Sequence, residues 1–181
     1  MPRFTAHSNP SLPKIGIDLG YSATAKSTGI AISSDSWVDT LSFGNCIETV
    51  ASRLQSDGPH TLILEAVLST YHTPDGNPAI RGPFEKGRGW YHGPGVTTFA
   101  AALRFLRELD RKLPPELQQI PLVEGFLSYK PVRTRHEDDA RRMLDEFETA
   151  ERFSPHPDSE PICQCIEGVP EILRYNPPHQ K

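Results

Sequence analysis

"KIGIDLGYSATAKSTGIAIS", residues 14–33, is the stretch on which the reading of this chain turns. Period-two alternation puts Ile15, Ile17 and Leu19 on one face of a strand and Gly16, Asp18 and Gly20 on the other. A carboxylate moved from water into such a strand without a partner is strongly disfavoured, so Asp18 needs company from elsewhere in the chain. Gly29–Ser33 reads as the returning strand and Trp37–Phe43 as a third, and the short connections between them predict an antiparallel meander. From Cys46 to Gln55 the apolar residues Ile47, Val50, Ala51 and Leu54 have helical spacing, and Asp57-Gly58-Pro59 ends the run. "HTLILEAVL", residues 60–68, is then the best buried strand of the sequence. A right-handed strand–helix–strand crossover sets it parallel to the first strand. Thr61, Ile63 and Glu65 share one of its faces, which brings Glu65 towards the level of Asp18. Two carboxylates so close repel each other unless a proton or a cation lies between them.

Outward from this pair, Ser69–Gly95 has no periodicity and is dense in Gly, Pro, His, Arg and aromatic residues, a length seldom left idle in a compact domain. Thr97 or Thr98 can cap a helix running to about Lys112, with Phe99, Ala100, Leu103, Leu106 and Leu109 on one face. Ile120–Leu127 predicts another strand. "SYKPVRTR", residues 128–135, is a basic connection to a last helix expected from His136 to about Arg152. The boundaries expected are an N-terminal extension over residues 1–13, one domain over 14–153 with an insertion at 69–95, and a Pro-rich tail over 154–181 that is an irregular strap or mobile.

In "RHEDDARRMLDEF" the buried stripe is Ala140, Met143, Leu144 and Phe147. Asp139 sits at its edge and shares a sheet-directed face with His136. Asp138 faces Arg142 at i,i+4, the spacing of an exposed ion pair, so Asp139 is preferred over Asp138 as the third acid. Asp18, Glu65 and Asp139 with His136 form an oxygen-rich set that suits Mg²⁺ or Mn²⁺ rather than zinc. Two such ions about 4 Å apart activate a water and stabilise the leaving oxygen in phosphodiester cleavage.

The bulk properties set limits on this reading. A chain of 181 residues with 36% hydrophobic content supports one core. The net charge of -4 and the pI near 6.0 leave nucleic-acid contact to local patches. No stretch approaches a membrane span, and "MPRFTAHSNPSLPK" lacks the apolar run of a signal peptide. Cys46, Cys163 and Cys165 form no spaced framework and match no zinc pattern, so a cytoplasmic protein with reduced thiols is expected.

The order of these motifs, "GIDLG" in a strand, a hairpin returning through "TGIAIS", a crossover to "LILEA" and a late helix opening "HEDDA", resembles the ribonuclease H-like superfamily, most closely its RuvC-type branch. There the last position is often His-x-x-Asp followed by Ala, as His136, Asp139 and Ala140 stand here. The resemblance covers roughly Lys14–Arg152. It implies an α/β fold with a five-stranded mixed sheet of order 3-2-1-4-5, flanked by helices. It also implies a two-metal nuclease with Asp18, Glu65 and Asp139 as ligands and His136 as a ligand or proton-transfer group. Nucleic acid, DNA or RNA, is then the partner, and junction-cutting relatives act as homodimers because two symmetric strands must be cut.

The insertion carries Arg81, Lys86, Arg88, Trp90, Tyr91 and His92, cations and rings suited to phosphates and bases; the alternative is a Gly-Pro loop whose aromatics fold back as a plug. Lys130, Arg133 and Arg135 either hold a scissile strand's phosphates or pair with Glu137 and Asp138. Two rival functions stand beside the nuclease. "IGIDLG" followed by Ser and Thr also looks like the phosphate loop of the actin, chaperone and sugar-kinase ATPases, with Tyr21–Thr24 around ATP. A catalytically silent binding module of the same fold is the other.

Overall fold

The computed structural model describes residues 2–71, 94–127 and 133–175. In chain order the elements are β1 (Phe4–Thr5), β2 (Lys14–Asp18), β3 (Thr28–Ile32), β4 (Trp37–Leu41), α1 (Phe43–Asp57), β5 (Thr61–Glu65), β6 (Ser69–Thr70) and α2 (Pro94–Lys112). They continue with β7 (Ile120–Leu127), α3 (His136–Asp145), β8 (Glu151–Phe153), β9 (Glu160–Pro161), β10 (Ile166–Glu167) and β11 (Ile172–Tyr175). The fold is α/β. The main sheet runs β10-β1-β7-β5-β2-β3-β4, with β11 also paired to β7 and β8 to β11. β2, β3 and β4 form the antiparallel meander. The crossover through α1 returns β5 parallel to β2, and β7 lies parallel to β5.

Alternation divides the two faces of the sheet. Ile15 and Ile17 of β2, Ile30 and Ile32 of β3, Leu62 and Leu64 of β5 and Leu122 of β7 pack into one core with Val50 and Leu54 of α1 and Phe105, Leu106 and Leu109 of α2. The opposite face is covered by α3 and the turn after it, where Met143 and Phe147 pack with Ile63, Val123, Leu173 and Tyr175. Small residues let α3 come close. A Cβ added at Gly16 would lie 2.5 Å from the Ala140 carbonyl oxygen, and one at Gly29 2.0 Å from that of His136. Ser42 caps α1, its hydroxyl accepting from the Asn45 amide at 3.4 Å. Gly58 ends it with φ 83°, a backbone conformation that glycine adopts without a Cβ penalty.

Several expectations need correction. The last helix stops at Asp145 rather than Arg152, because Glu151–Phe153 is drawn into a strand: Glu151, Arg152 and Phe153 pair with Arg174, Leu173 and Ile172. The middle helix starts at Pro94, three residues before the earlier of the two expected caps, and helix N-termini accept proline readily. Thr98 does not cap it; its hydroxyl donates to the Gly95 carbonyl at 3.0 Å. Within the described residues, 2–13 are more than an extension and 154–175 more than a tail. Phe4, fully buried, pairs with both Ile120 and Ile166, and Ile172–Tyr175 pairs along Glu124–Leu127. Burial of Phe4, Ile166, Ile172, Leu173 and Tyr175 draws both segments into the fold. Arg3 anchors the first of them: its guanidinium donates to Asp110 at 2.5 Å, to the Pro114 carbonyl at 2.9 Å and to the Leu117 carbonyl. Of the expected insertion at 69–95, Ser69 and Thr70 form a strand paired with Pro161 and Glu160, and Pro94 and Gly95 open α2; 72–93 lie outside the described residues. Among the described residues no helix is long and apolar enough to cross a membrane.

Candidate active site

Asp18 and Glu65 are the last residues of β2 and β5, and the parallel register sets them directly opposite each other. On the other side of β2, Asp18 is opposite Gly29, over which the first turn of α3 rests. Local alternation fixes the direction of both acids: with Ile17 and Leu64 turned into the α1/α2 core, their successors in sequence point to the α3 face. Asp18 is buried and Glu65 half-buried.

From α3, His136 reaches down to the sheet, its Nδ1 lying 2.8 Å from Oδ2 of Asp18. One turn further on, Asp139 is buried and its Oδ2 accepts from the Thr134 hydroxyl at 2.6 Å. Asp138 instead faces solvent, bound by the Arg135 guanidinium at 2.9 and 3.2 Å. Of the two acids, Asp139 is thus the buried one and Asp138 the exposed one. The expected Asp138–Arg142 pair is not formed, because Arg142 binds Glu146 at 2.9 and 3.2 Å. Arg135 also lies 3.4 Å from Glu137, so it contacts two acids of its own helix. These partners hold the Arg135 guanidinium above its usual range, the hydrogen bond to Asp138 most strongly. Arg133 is exposed. Lys130 and the insertion residues Arg81, Lys86, Arg88 and Trp90 lie outside the described residues.

Two threonines complete the arrangement, and neither stands out in the sequence. Thr134 precedes the helix and holds Asp139. Thr40 of β4 donates its hydroxyl to Glu137, which depresses the Glu137 carboxyl and ties the start of α3 to the sheet. A further buried acid, Glu124 of β7, shares the register level of Leu64 and so belongs to the opposite face; its carboxylate accepts from the Leu68 amide at 3.2 Å. It helps to order the chain after β5.

Asp18, Glu65 and Asp139 offer the hard oxygen donors that a divalent magnesium or manganese ion prefers. Among the described residues, however, no three His, Cys, Asp or Glu side chains stand close enough together to hold a metal ion. Asp18 is engaged by His136 and Asp139 by Thr134. No protein-family model matches the chain, and neither a curated protein nor a solved structure is matched by it.

Proposed function

We propose that the protein is a metal-dependent nuclease of the ribonuclease H-like kind, hydrolysing phosphodiester bonds of nucleic acid at Asp18 and Glu65. The observation that carries the reading is their register: two acids opposite each other on adjacent parallel strands, on the face where α3 brings His136 and Asp139. The central run β4-β3-β2-β5-β7, its own five strands numbered in chain order with β6 of the separate small sheet left out, reads 3-2-1-4-5 and supports the same reading.

Electrostatics gives the physical argument for a cation. Carboxylates facing one another repel a phosphate as well as each other, so a phosphodiester can approach only if positive charge is added. Asp18 and Glu65 would hold Mg²⁺ or Mn²⁺ first, Asp139 joining as its bond to Thr134 is exchanged; the ions would activate water and neutralise the leaving oxygen. His136 orients Asp18 through Nδ1 and can carry a proton near the reacting phosphate. Tyr21, three residues beyond Asp18 and half exposed, offers a ring on which a base can stack.

The phosphate-loop alternative is disfavoured by the loop after β2. The Ser22 amide donates to Ser27 Oγ at 3.2 Å and the Ala25 amide to Ser22 Oγ at 2.9 Å, so these two donors are not turned to a nucleotide. The deciding experiment incubates the protein with single-stranded, duplex and branched DNA and RNA in Mg²⁺, in Mn²⁺ and in chelator, and measures ATP binding by calorimetry in parallel. Metal-dependent cleavage of at least one nucleic acid is expected. Tight ATP binding with no cleavage would overturn the reading in favour of the ATPase lobe, and nucleic-acid binding without cleavage in favour of a silent module.

A further inference from the structure

Cys163 and Cys165 lie in the turn between β9 and β10. Their Sγ atoms are in direct contact at 2.6 Å, as two thiols rather than at the about 2.05 Å of a disulfide bond. Both thiols are free and half-buried, within reach of a small reagent. The turn is held from both sides: the Ile166 amide donates to the Cys163 carbonyl at 3.2 Å, and the Arg3 and Phe4 amides each donate to the Cys165 carbonyl at 2.9 Å. The sulfurs therefore start close together on a fixed backbone, and forming a bond between them requires little chain movement.

We propose that Cys163 and Cys165 are a reversible dithiol–disulfide site, oxidised by small-molecule disulfides and reduced by small thiols. The Cys163 thiolate attacks one sulfur of the small disulfide, whose S–S bond breaks; one thiolate leaves and takes up a proton from solvent. The resulting mixed disulfide at Cys163 is attacked by Cys165, which gives its proton to solvent, and the second small thiolate departs. Two protein thiols are oxidised and one small disulfide is reduced to two thiols.

The division of labour follows from the surroundings. The hydrogen bond from Cys165, helped by the Arg107 guanidinium, lowers the Cys163 thiol to about 7 despite its partial burial, giving a sizeable thiolate fraction near neutrality. Cys165 is shifted the other way by its neighbour and by burial, which leaves it the resolving thiol. Cys46, buried in the α1 face, is pushed up to about 12 by desolvation and serves as an internal control. A disulfide spanning a single intervening residue closes a small, strained ring, and strained disulfides are the readily reduced ones.

The test exposes the full chain at neutral pH to oxidised glutathione and follows it by intact mass and peptide mapping. The expected result is loss of two hydrogens with a Cys163–Cys165 link, reversed by dithiothreitol, and Cys46 unmodified. Cys165→Ser is expected to accumulate one stable mixed disulfide at Cys163, and Cys163→Ser to react at least about tenfold more slowly. The proposal is overturned if the native chain retains a stable adduct as Cys165→Ser does, if Cys163→Ser reacts as fast as the native chain, or if Cys46 is modified alongside. Melting curves of the two serine variants establish that each is folded when tested.

Discussion

Nδ1 of His136 lies 2.8 Å from Oδ2 of Asp18, joining residues 118 positions apart in sequence and fixing the first turn of α3 over the end of β2. Through this contact the helix and the sheet edge act as one unit, and the reactivity proposed for Asp18 depends on how α3 is seated.

Replacing Asp18 by Asn keeps the size of the side chain and removes its charge. Metal-dependent cleavage is expected to fall by more than about 100-fold, since loss of mere supporting contacts at metal sites already costs 10–100-fold. Without metal, Glu65→Gln should hold or slightly raise the melting temperature because repulsion with Asp18 is relieved, whereas Asp18→Asn also weakens the His136 contact and should gain less. Parallel cleavage assays and thermal melts of Asp18→Asn and Glu65→Gln check this; unchanged cleavage in both variants would remove the acids from the chemistry.

Gly29→Ala tests the seating of the helix. Its Cβ would fall 2.0 Å from the His136 carbonyl oxygen, a backbone atom that yields only if α3 shifts. A loss of stability of about 1–3 kcal/mol is expected from such overpacking. Cleavage measured well below the melting range should drop further than the folded fraction does, because His136 moves away from Asp18. Denaturant titration together with activity at low temperature separates the two effects.

Thr40 and Glu137 give a pH signature. Glu137 is held below the usual carboxylate range, by the Thr40 hydroxyl first, then by its own backbone amide and by Arg135, while partial burial and Asp138 oppose the shift. A depressed folded-state pKa contributes stability that is fully present above the unfolded value of about 4.3 and is lost as pH falls through the folded value. Thr40→Val should therefore cost about 1 kcal/mol at pH 6, with the gap to the native chain narrowing below about pH 4. Urea unfolding at a series of pH values measures it; a gap independent of pH would mean that the Thr40 hydroxyl acts without Glu137.

Leu173→Ala and Tyr175→Phe test whether the late segment belongs to the core. Leu173 is fully buried, and its truncation should cost about 2–5 kcal/mol. The Tyr175 hydroxyl, its pKa raised by burial, donates to the Met143 carbonyl at 3.1 Å near the end of α3, where helix carbonyls lack partners of their own. Removing it should cost about 1 kcal/mol. Chemical denaturation of both variants decides; neutral effects would be those of a loose tail.

The meander, the crossover and the placing of Asp18 beside Glu65 were legible because they follow from alternation in five-residue strands and from the hand of one connection. Phe4–Thr5 and Ile166–Glu167 were not, since two residues carry no period and the pairing of the first with β7, and of the second with the first, rests on burial. The early end of α3 escaped notice for a similar reason: helical spacing continues through Phe147, and only pairing with residues near position 173 turns the following segment into a strand. Thr134 and Thr40 were invisible as partners of Asp139 and Glu137 because a hydroxyl beside or across from a helix has no signature in spacing. The Cys163-x-Cys165 motif was visible, whereas the closeness of its sulfurs depends on a turn pinned by Arg3 and Phe4.

The outer edge of β7 is covered by strands from opposite ends of the chain, Phe4–Thr5 at Ile120–Pro121 and Ile172–Tyr175 at Glu124–Leu127. During synthesis β7 is complete long before residue 172 leaves the ribosome. For that interval it exposes a row of unpaired amides and carbonyls beside a finished hydrophobic sheet, a template for pairing with another nascent copy. The later Ile172–Tyr175 arrives, the longer that edge stays open, so slowing translation between residues 127 and 172 is expected to increase aggregation more than slowing it anywhere upstream.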